Sequence, residues 1–208
     1  MSTNKYDVAI IDYNTGNVDS VIKAIKFFDK TVILTNNKKE IENSKKIILP
    51  GQGSFHFGMQ ELQKLDLIDL LKYKVLKEKV PILGICLGMQ LFADVGFEKE
   101  RTTGLSFIGG SVKKIPSSLK LPHIGWNEVS FLKKDPLFDD IDNNKDFYFV
   151  HSYFFECSNL NDKLAITNYD FDFPSIIRKD NVVGLQFHPE KSLKNGLKLI
   201  NNFLKFNA

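Results

Sequence analysis

Gly84-Ile85-Cys86-Leu87-Gly88 places a cysteine between two glycines at the point where an apolar strand-like run gives way to a helix-like one. That is the context of a nucleophile elbow, a tight turn that throws its central side chain out at the carboxyl end of a sheet. A helix N-terminus there would favour the thiolate through its dipole and free N–H groups. Isolated cysteines are commonly inert, buried small hydrophobes, so the strand–turn–helix setting is what marks Cys86. A nucleophilic thiol needs a base, and the base needs an acceptor on its other nitrogen. Gln186-Phe187-His188-Pro189-Glu190 supplies both, because residues two apart in extended chain share a face and Glu190 can lie beside His188. His-Pro-Glu alone carries little information and gains weight only as the match to the elbow. Acyl chemistry also needs oxyanion donors. Leu87 offers the backbone N–H after the nucleophile, and Pro50-Gly51-Gln52-Gly53 has the conformational freedom to aim Gly51 or Gln52 into a cleft, although an ordinary turn reads the same way.

Those residues require a sheet to hold them. The first half of the chain alternates apolar runs with amphipathic stretches, which predicts strands and helices of a parallel α/β sheet. Strands are expected at 6–12, 32–34, 46–49 and 81–85, and helices at 17–28, 67–79 and 87–95, with a turn at 14–16. From Gly109 the texture becomes strand-rich, with strands at 125–131, 147–155, 164–167 and 182–187. An amphipathic helix over 192–206 closes the chain, with Ser192 as its N-cap. His188 then follows a strand that must end at the same sheet edge as Cys86.

The 208 residues, 43% hydrophobic, suit one domain spanning 1–208. Twenty-eight Lys and Arg against 25 Asp and Glu leave a net charge of +3 without a basic tract, which gives nucleic-acid binding little support. No segment approaches the ~20 apolar residues of a membrane span, and the start lacks a signal-peptide core, so a cytoplasmic protein is expected. Cys157 is expected to stay unpaired and unreactive, and the histidines and cysteines show no metal-ligand spacing, so no metal or cofactor is expected.

Over nearly its whole length the chain resembles triad-type, class I glutamine amidotransferases, and among them the glutaminase subunits of imidazole glycerol phosphate synthases. Residues 12–17, 49–55, 84–90, 121–127, 149–153 and 186–192 carry the likeness; the Pro-His-Ile-Gly-Trp-Asn and Val-His-Ser-Tyr blocks point to the subunit. The resemblance implies a single-domain, mostly parallel central sheet flanked by helices, with an additional strand-rich second half. It implies Cys86 as nucleophile, His188 as base and Glu190 as its orienter. Gly53, Gln90 and Glu98 match glutamine-holding positions, and Asn17, Trp126, Tyr148 and Lys191 match positions facing a (β/α)₈-barrel partner in a heterodimer. The implied chemistry is hydrolase and lyase: L-glutamine to L-glutamate and ammonia, with ammonia passed on to make imidazole glycerol phosphate in histidine biosynthesis. Gln52 departs from the pattern, standing where the family usually has a small apolar residue. His123 and His151, among aromatics in strand-rich segments, are expected to be hydrogen-bonded structural histidines, and His56, in a helix start, receives no role. Three other readings stay open: a related glutaminase feeding a sugar amidotransferase, a catalytically silent regulatory subunit, and an α/β-hydrolase. The last orders its triad nucleophile, acid, histidine, whereas here the acid follows the histidine.

Overall fold

The computed structural model describes residues 5–16 and 18–206. Asn17, expected at the partner surface, lies outside the described residues.

The first half runs β1 (Tyr6–Ile11), α1 (Asp19–Lys26), β2 (Val32–Thr35), α2 (Lys38–Glu42), β3 (Ser44–Leu49), α3 (Phe55–Lys64), α4 (Ile68–Lys72), β4 (Ile82–Ile85) and α5 (Leu87–Gln90). A π-helical turn at Tyr73–Lys77 extends α4. The second half adds β5 (Val95–Gly96), β6 (Thr102–Thr103), β7 (Gly110–Lys114), β8 (His123–Phe131), β9 (Lys145–His151), β10 (Tyr153–Cys157), β11 (Lys163–Asn168), β12 (Asp172–Lys179) and β13 (Val182–Leu185), then α6 (Leu193–Lys205).

Among the described residues nine strands form one sheet in the order β2-β1-β3-β4-β13-β12-β11-β8-β9, and β10-β7-β5-β6 form a smaller one. Pairing is parallel from β2 through β13 and antiparallel from β13 to β9, so the strand-rich second half completes the sheet begun by the first. Alternation of side chains splits the apolar residues between the two faces. Val8, Ile10, Ile48 and Ile85 pack with Ile25 of α1 and Leu199 and Phe203 of α6. On the other face Ile47, Leu49 and Ile82 pack with Leu62 of α3, Leu71 of α4 and Phe92. Among the described residues no helix is long and apolar enough to cross a membrane.

Several boundaries differ from those expected. Helix 87–95 stops at Gln90, because the carbonyls of Leu91, Phe92 and Ala93 accept from Leu105, Phe107 and Ser106 instead of from a following helical turn. The expected strand 147–155 is two strands in different sheets. Ser192 stands at the N-cap of α6 as expected, but its hydroxyl caps no helix N–H; it donates to the His188 carbonyl at 2.6 Å and accepts from the Tyr148 N–H at 3.0 Å.

Candidate functional site

β4 and β13 lie side by side, parallel and in register, with Ile85 opposite Leu185, so the residues that follow them emerge at one edge. The Cys86 N–H donates to the Leu185 carbonyl at 2.7 Å, closing the elbow onto β13. Cys86 sits at φ 52°, ψ −106°, a conformation that costs a non-glycine residue on the order of 1–3 kcal/mol and turns the thiol out of the sheet. The flanking glycines are sterically required. A Cβ on Gly84 would stand 2.6 Å from the Met89 nitrogen and from the Phe92 ring, and one on Gly88 would run into the Leu49 carbonyl.

His188 and Glu190 follow β13 across a short turn. Nδ1 of His188 lies 2.8 Å from Oε1 of Glu190, with both side chains 3% exposed. The other ring nitrogen, Nε2, is buried without a hydrogen-bond partner among the described residues, and His188 shares its cavity with the Cys86 thiol. Burial works against a charged ring, but the neighbouring Cys86 thiol and Glu190 carboxylate outweigh it and raise the His188 pKa to about 9. The ring is also fixed through its backbone, since the His188 N–H donates to the Tyr148 carbonyl of β9 at 2.9 Å. The thiol itself donates to the Val150 carbonyl at 3.6 Å and accepts from Nε2 of Gln186 at 3.8 Å.

Cys86, Leu87 and His188 line a cavity of about 360 Å³ together with Gln52, Gly53, Gln90 and Glu98. The three expected glutamine-holding residues are thus brought to the thiol. Glu98 is fixed by accepting the Phe55 N–H of α3 at 2.8 Å, and Gln90 by donating to the Tyr153 carbonyl at 2.8 Å and to Oε1 of Gln186 at 3.0 Å.

The expected oxyanion hole is not assembled. The Leu87 N–H donates to the Gly51 carbonyl at 3.4 Å, so the Gly51–Gln52 peptide presents an acceptor where a donor is needed. The preceding carbonyl, of Pro50, is held by the buried Tyr13 hydroxyl. Gln52 itself is exposed, with its backbone against Gly16, which packs close enough that a Cβ there would stand 3.3 Å from the Gln52 nitrogen.

Of the expected partner-facing residues, Trp126 is 49% exposed and meets Tyr148 edge-on at 6.0 Å, while Lys191 is exposed and lines the cavity. His123 and His151 are buried and hydrogen-bonded to each other at 3.0 Å. Cys157 is buried, which pushes its thiol up to about 12, and it forms no disulfide. Among the described residues no cluster of three or more His, Cys, Asp or Glu is arranged to hold a metal. Sequence reading assigned no role to Gln186, to Ser192 beyond a cap, or to the carbonyls of Tyr148 and Val150. Only Gln186 left a signal, as a polar residue closing an apolar strand two positions before His188.

An elbow cysteine on a mixed sheet shares one cavity with a histidine paired to a carboxylate, the set of side chains that cysteine-dependent acyl transfer uses. A family model, "Glutamine amidotransferase class-I", matches residues 9–206, and the chain belongs to that family. It is 48% identical over 200 residues to imidazole glycerol phosphate synthase subunit HisH 2 of Methanococcus maripaludis, covering 95% of this chain and 98% of that one. Subunit HisH 1 of Campylobacter jejuni is 45% identical, with 95% and 99% covered. A crystal structure of a glutamine amidotransferase superposes with a TM-score of 0.76 at 17% identity, covering 96% and 97% of the two chains, a likeness of fold alone.

Proposed function

We propose that the chain is the glutaminase subunit of an imidazole glycerol phosphate synthase, hydrolysing L-glutamine and passing the ammonia to a (β/α)₈-barrel synthase subunit in histidine biosynthesis. The observation that carries the reading is a strained Cys86 sharing one cavity with the His188–Glu190 pair, in a chain 45–48% identical to synthase subunits along nearly all its length.

In this mechanism the Cys86 thiolate attacks the side-chain amide carbon of glutamine. Protonated His188 gives its proton to the departing nitrogen, ammonia leaves, and a glutamyl thioester remains. Water then attacks the thioester, His188 takes its proton, and glutamate departs from the regenerated thiol. Gly53, Gln90 and Glu98 hold the substrate, and Glu190 keeps the imidazole in one tautomer. The Gly51–Gln52 peptide rotates to release the Leu87 N–H and aim a second donor at the oxyanion. This chain's own reaction is hydrolytic, and the lyase step falls to the partner. Ammonia freed at neutral pH would become ammonium in solvent, which is why the donor subunit works against a docked acceptor.

Glutamate release from L-glutamine, followed with and without co-purified synthase subunit and its acceptor substrate, tests the reading. Release that depends on Cys86 and rises with partner and acceptor is expected. No release in the complete complex would overturn it.

A further inference from the structure

We infer that the two buried histidines, His123 and His151, are positioning residues that set the Gln90 amide toward the substrate through one directed chain of hydrogen bonds.

The directions follow from what each atom can do. The Tyr153 carbonyl can only accept, and it lies 2.9 Å from Nδ1 of His151, so that nitrogen carries the proton. In a neutral ring Nε2 is then an acceptor, and Nδ1 of His123, 3.0 Å away, must carry the proton between them. Nε2 of His123 is left to accept from the Asn127 amide at 3.2 Å. Asn127 spends its other N–H on the Asn168 carbonyl at 2.9 Å, and its oxygen accepts the Glu128 N–H at 2.8 Å, which fixes its amide orientation independently. Burial supports neutral rings, holding the pKa of His123 down to about 4 and that of His151 to about 3. His123 is also stacked between Phe149 and Tyr169, at 4.9 and 4.1 Å, which leaves its ring little freedom to turn over.

At the inner end the Tyr153 carbonyl takes a second hydrogen bond from Nε2 of Gln90, whose other N–H goes to Oε1 of Gln186. Both amide hydrogens of Gln90 are thereby used, and Oε1 is the atom it has left for a ligand in the cavity. A ligand held there must bring an N–H donor, as glutamine does with its ammonium and its amide. Gln186, wholly buried, turns its own amide N–H toward the Cys86 sulfur. If His151 no longer donated, the Tyr153 carbonyl would be released and the Gln90 amide would lose one of the two anchors that keep it from rotating.

The hydrogen-bond directions stand on geometry alone; only the ligand's identity rests on the glutaminase reading. Nitrogen-15 NMR of the histidine rings at pH 7 is the first test. Both rings are expected neutral with the proton on Nδ1, and a charged ring or an Nε2–H tautomer at either would overturn the chain. The second is steady-state glutaminase kinetics in the complex with the synthase subunit, comparing His151→Leu with His151→Asn. Asparagine puts an N–H where Nδ1 stood and leucine does not, while both leave His123 without its acceptor, so their difference isolates the donation to Tyr153. The leucine variant should raise KM for glutamine roughly 5- to 30-fold with kcat changed less than about threefold, and asparagine should bring KM back to within about threefold of wild type. Equal KM shifts in the two variants, or none in either, would overturn the positioning role. A wild-type complex that released no glutamate would instead sink the glutaminase reading, and the NMR result would still decide the chain.

Discussion

In the proposed mechanism the chemistry at Cys86 depends on a proton held by His188. With the His188 pKa raised to about 9, the ring stays charged through neutrality and can protonate departing ammonia. Glutamine turnover should therefore fall as pH rises through about 9, when the ring discharges. Alkylation of Cys86 by a chloromethyl ketone analogue of glutamine should persist there, because chloride leaves without a proton. Glu190→Gln removes the charge that helps hold the ring protonated and should move the alkaline limb of turnover to lower pH; a limb that stays put would remove Glu190 from that role. Cys86→Ala should abolish glutamate release while leaving the fold intact, and mass spectrometry of the labelled wild type should find the adduct on Cys86. An adduct on Cys157 alone, whose thiol burial keeps protonated to about pH 12, would exclude Cys86 as nucleophile. At this scale the cluster was largely legible in the sequence, since Cys86 stands between its two glycines and His188 two positions before Glu190, and the structure brings the three into one corner of the sheet edge. The histidine ladder was not: Asn127 and His123 meet His151 because β8 and β9 pair with His123 opposite His151, and Gln90 joins them through the Tyr153 carbonyl.

Elements position these residues, and sequence reading succeeded where periodicity was strong. The parallel strands leading to Cys86 and His188 are short apolar runs bounded by turn residues, and they appear close to where they were expected. β12 was missed because Pro174 lies inside it, a residue that argues against an interior strand. The structure accommodates it beside shifts of register around Ala165 in β11. α3 was read only as a helix start near His56, the glycines around it masking the apolar spacing of Phe55, Met59 and Leu62; its N-cap is Ser54, which accepts the Phe57 N–H. The break at Ser152 left no signal because aromatic residues run on through both strands. The element of most consequence is the segment 50–53. Turning the Gly51–Gln52 peptide over would carry the Gln52 φ, now negative, into positive values, at a cost of roughly 1–2 kcal/mol for a residue with a Cβ. Gln52→Gly should remove that cost and raise partner-free glutamate release about fivefold or more, whereas Gln52→Val should depress it. Initial rates without the synthase subunit would check this, and unchanged rates in both variants would mean that the peptide does not turn over.

At the scale of the whole molecule, β9 ends the main sheet with one side in the core and the other outward. Phe147, Phe149 and His151 are buried, whereas Tyr148 and Val150 pair across the ladder with Trp126 and Ile124. Ile124 is 59% and Trp126 49% exposed, an apolar face at the rim of the cavity, where Pro122, Val150 and Lys191 also stand. The same strand touches the reacting groups through its backbone: the Tyr148 carbonyl holds the His188 N–H and the Val150 carbonyl takes the thiol. A partner seated on this face would bear directly on the strand that orients nucleophile and base, so binding and turnover should be coupled through it. Trp126 is 49% exposed and meets Tyr148 edge-on, so its truncation should cost interface energy more than fold stability. Aromatic anchors of this kind contribute on the order of 2 kcal/mol, about a thirtyfold weakening of affinity. Trp126→Ala should accordingly weaken complex formation in titration calorimetry and lower acceptor-stimulated glutamate release in parallel. Cys86 should remain reactive toward a saturating electrophilic glutamine analogue, because the residue touches neither the thiol nor His188. Unchanged affinity together with unchanged stimulation would place the partner on another face, and lost alkylation would show that the variant had disturbed the cavity itself.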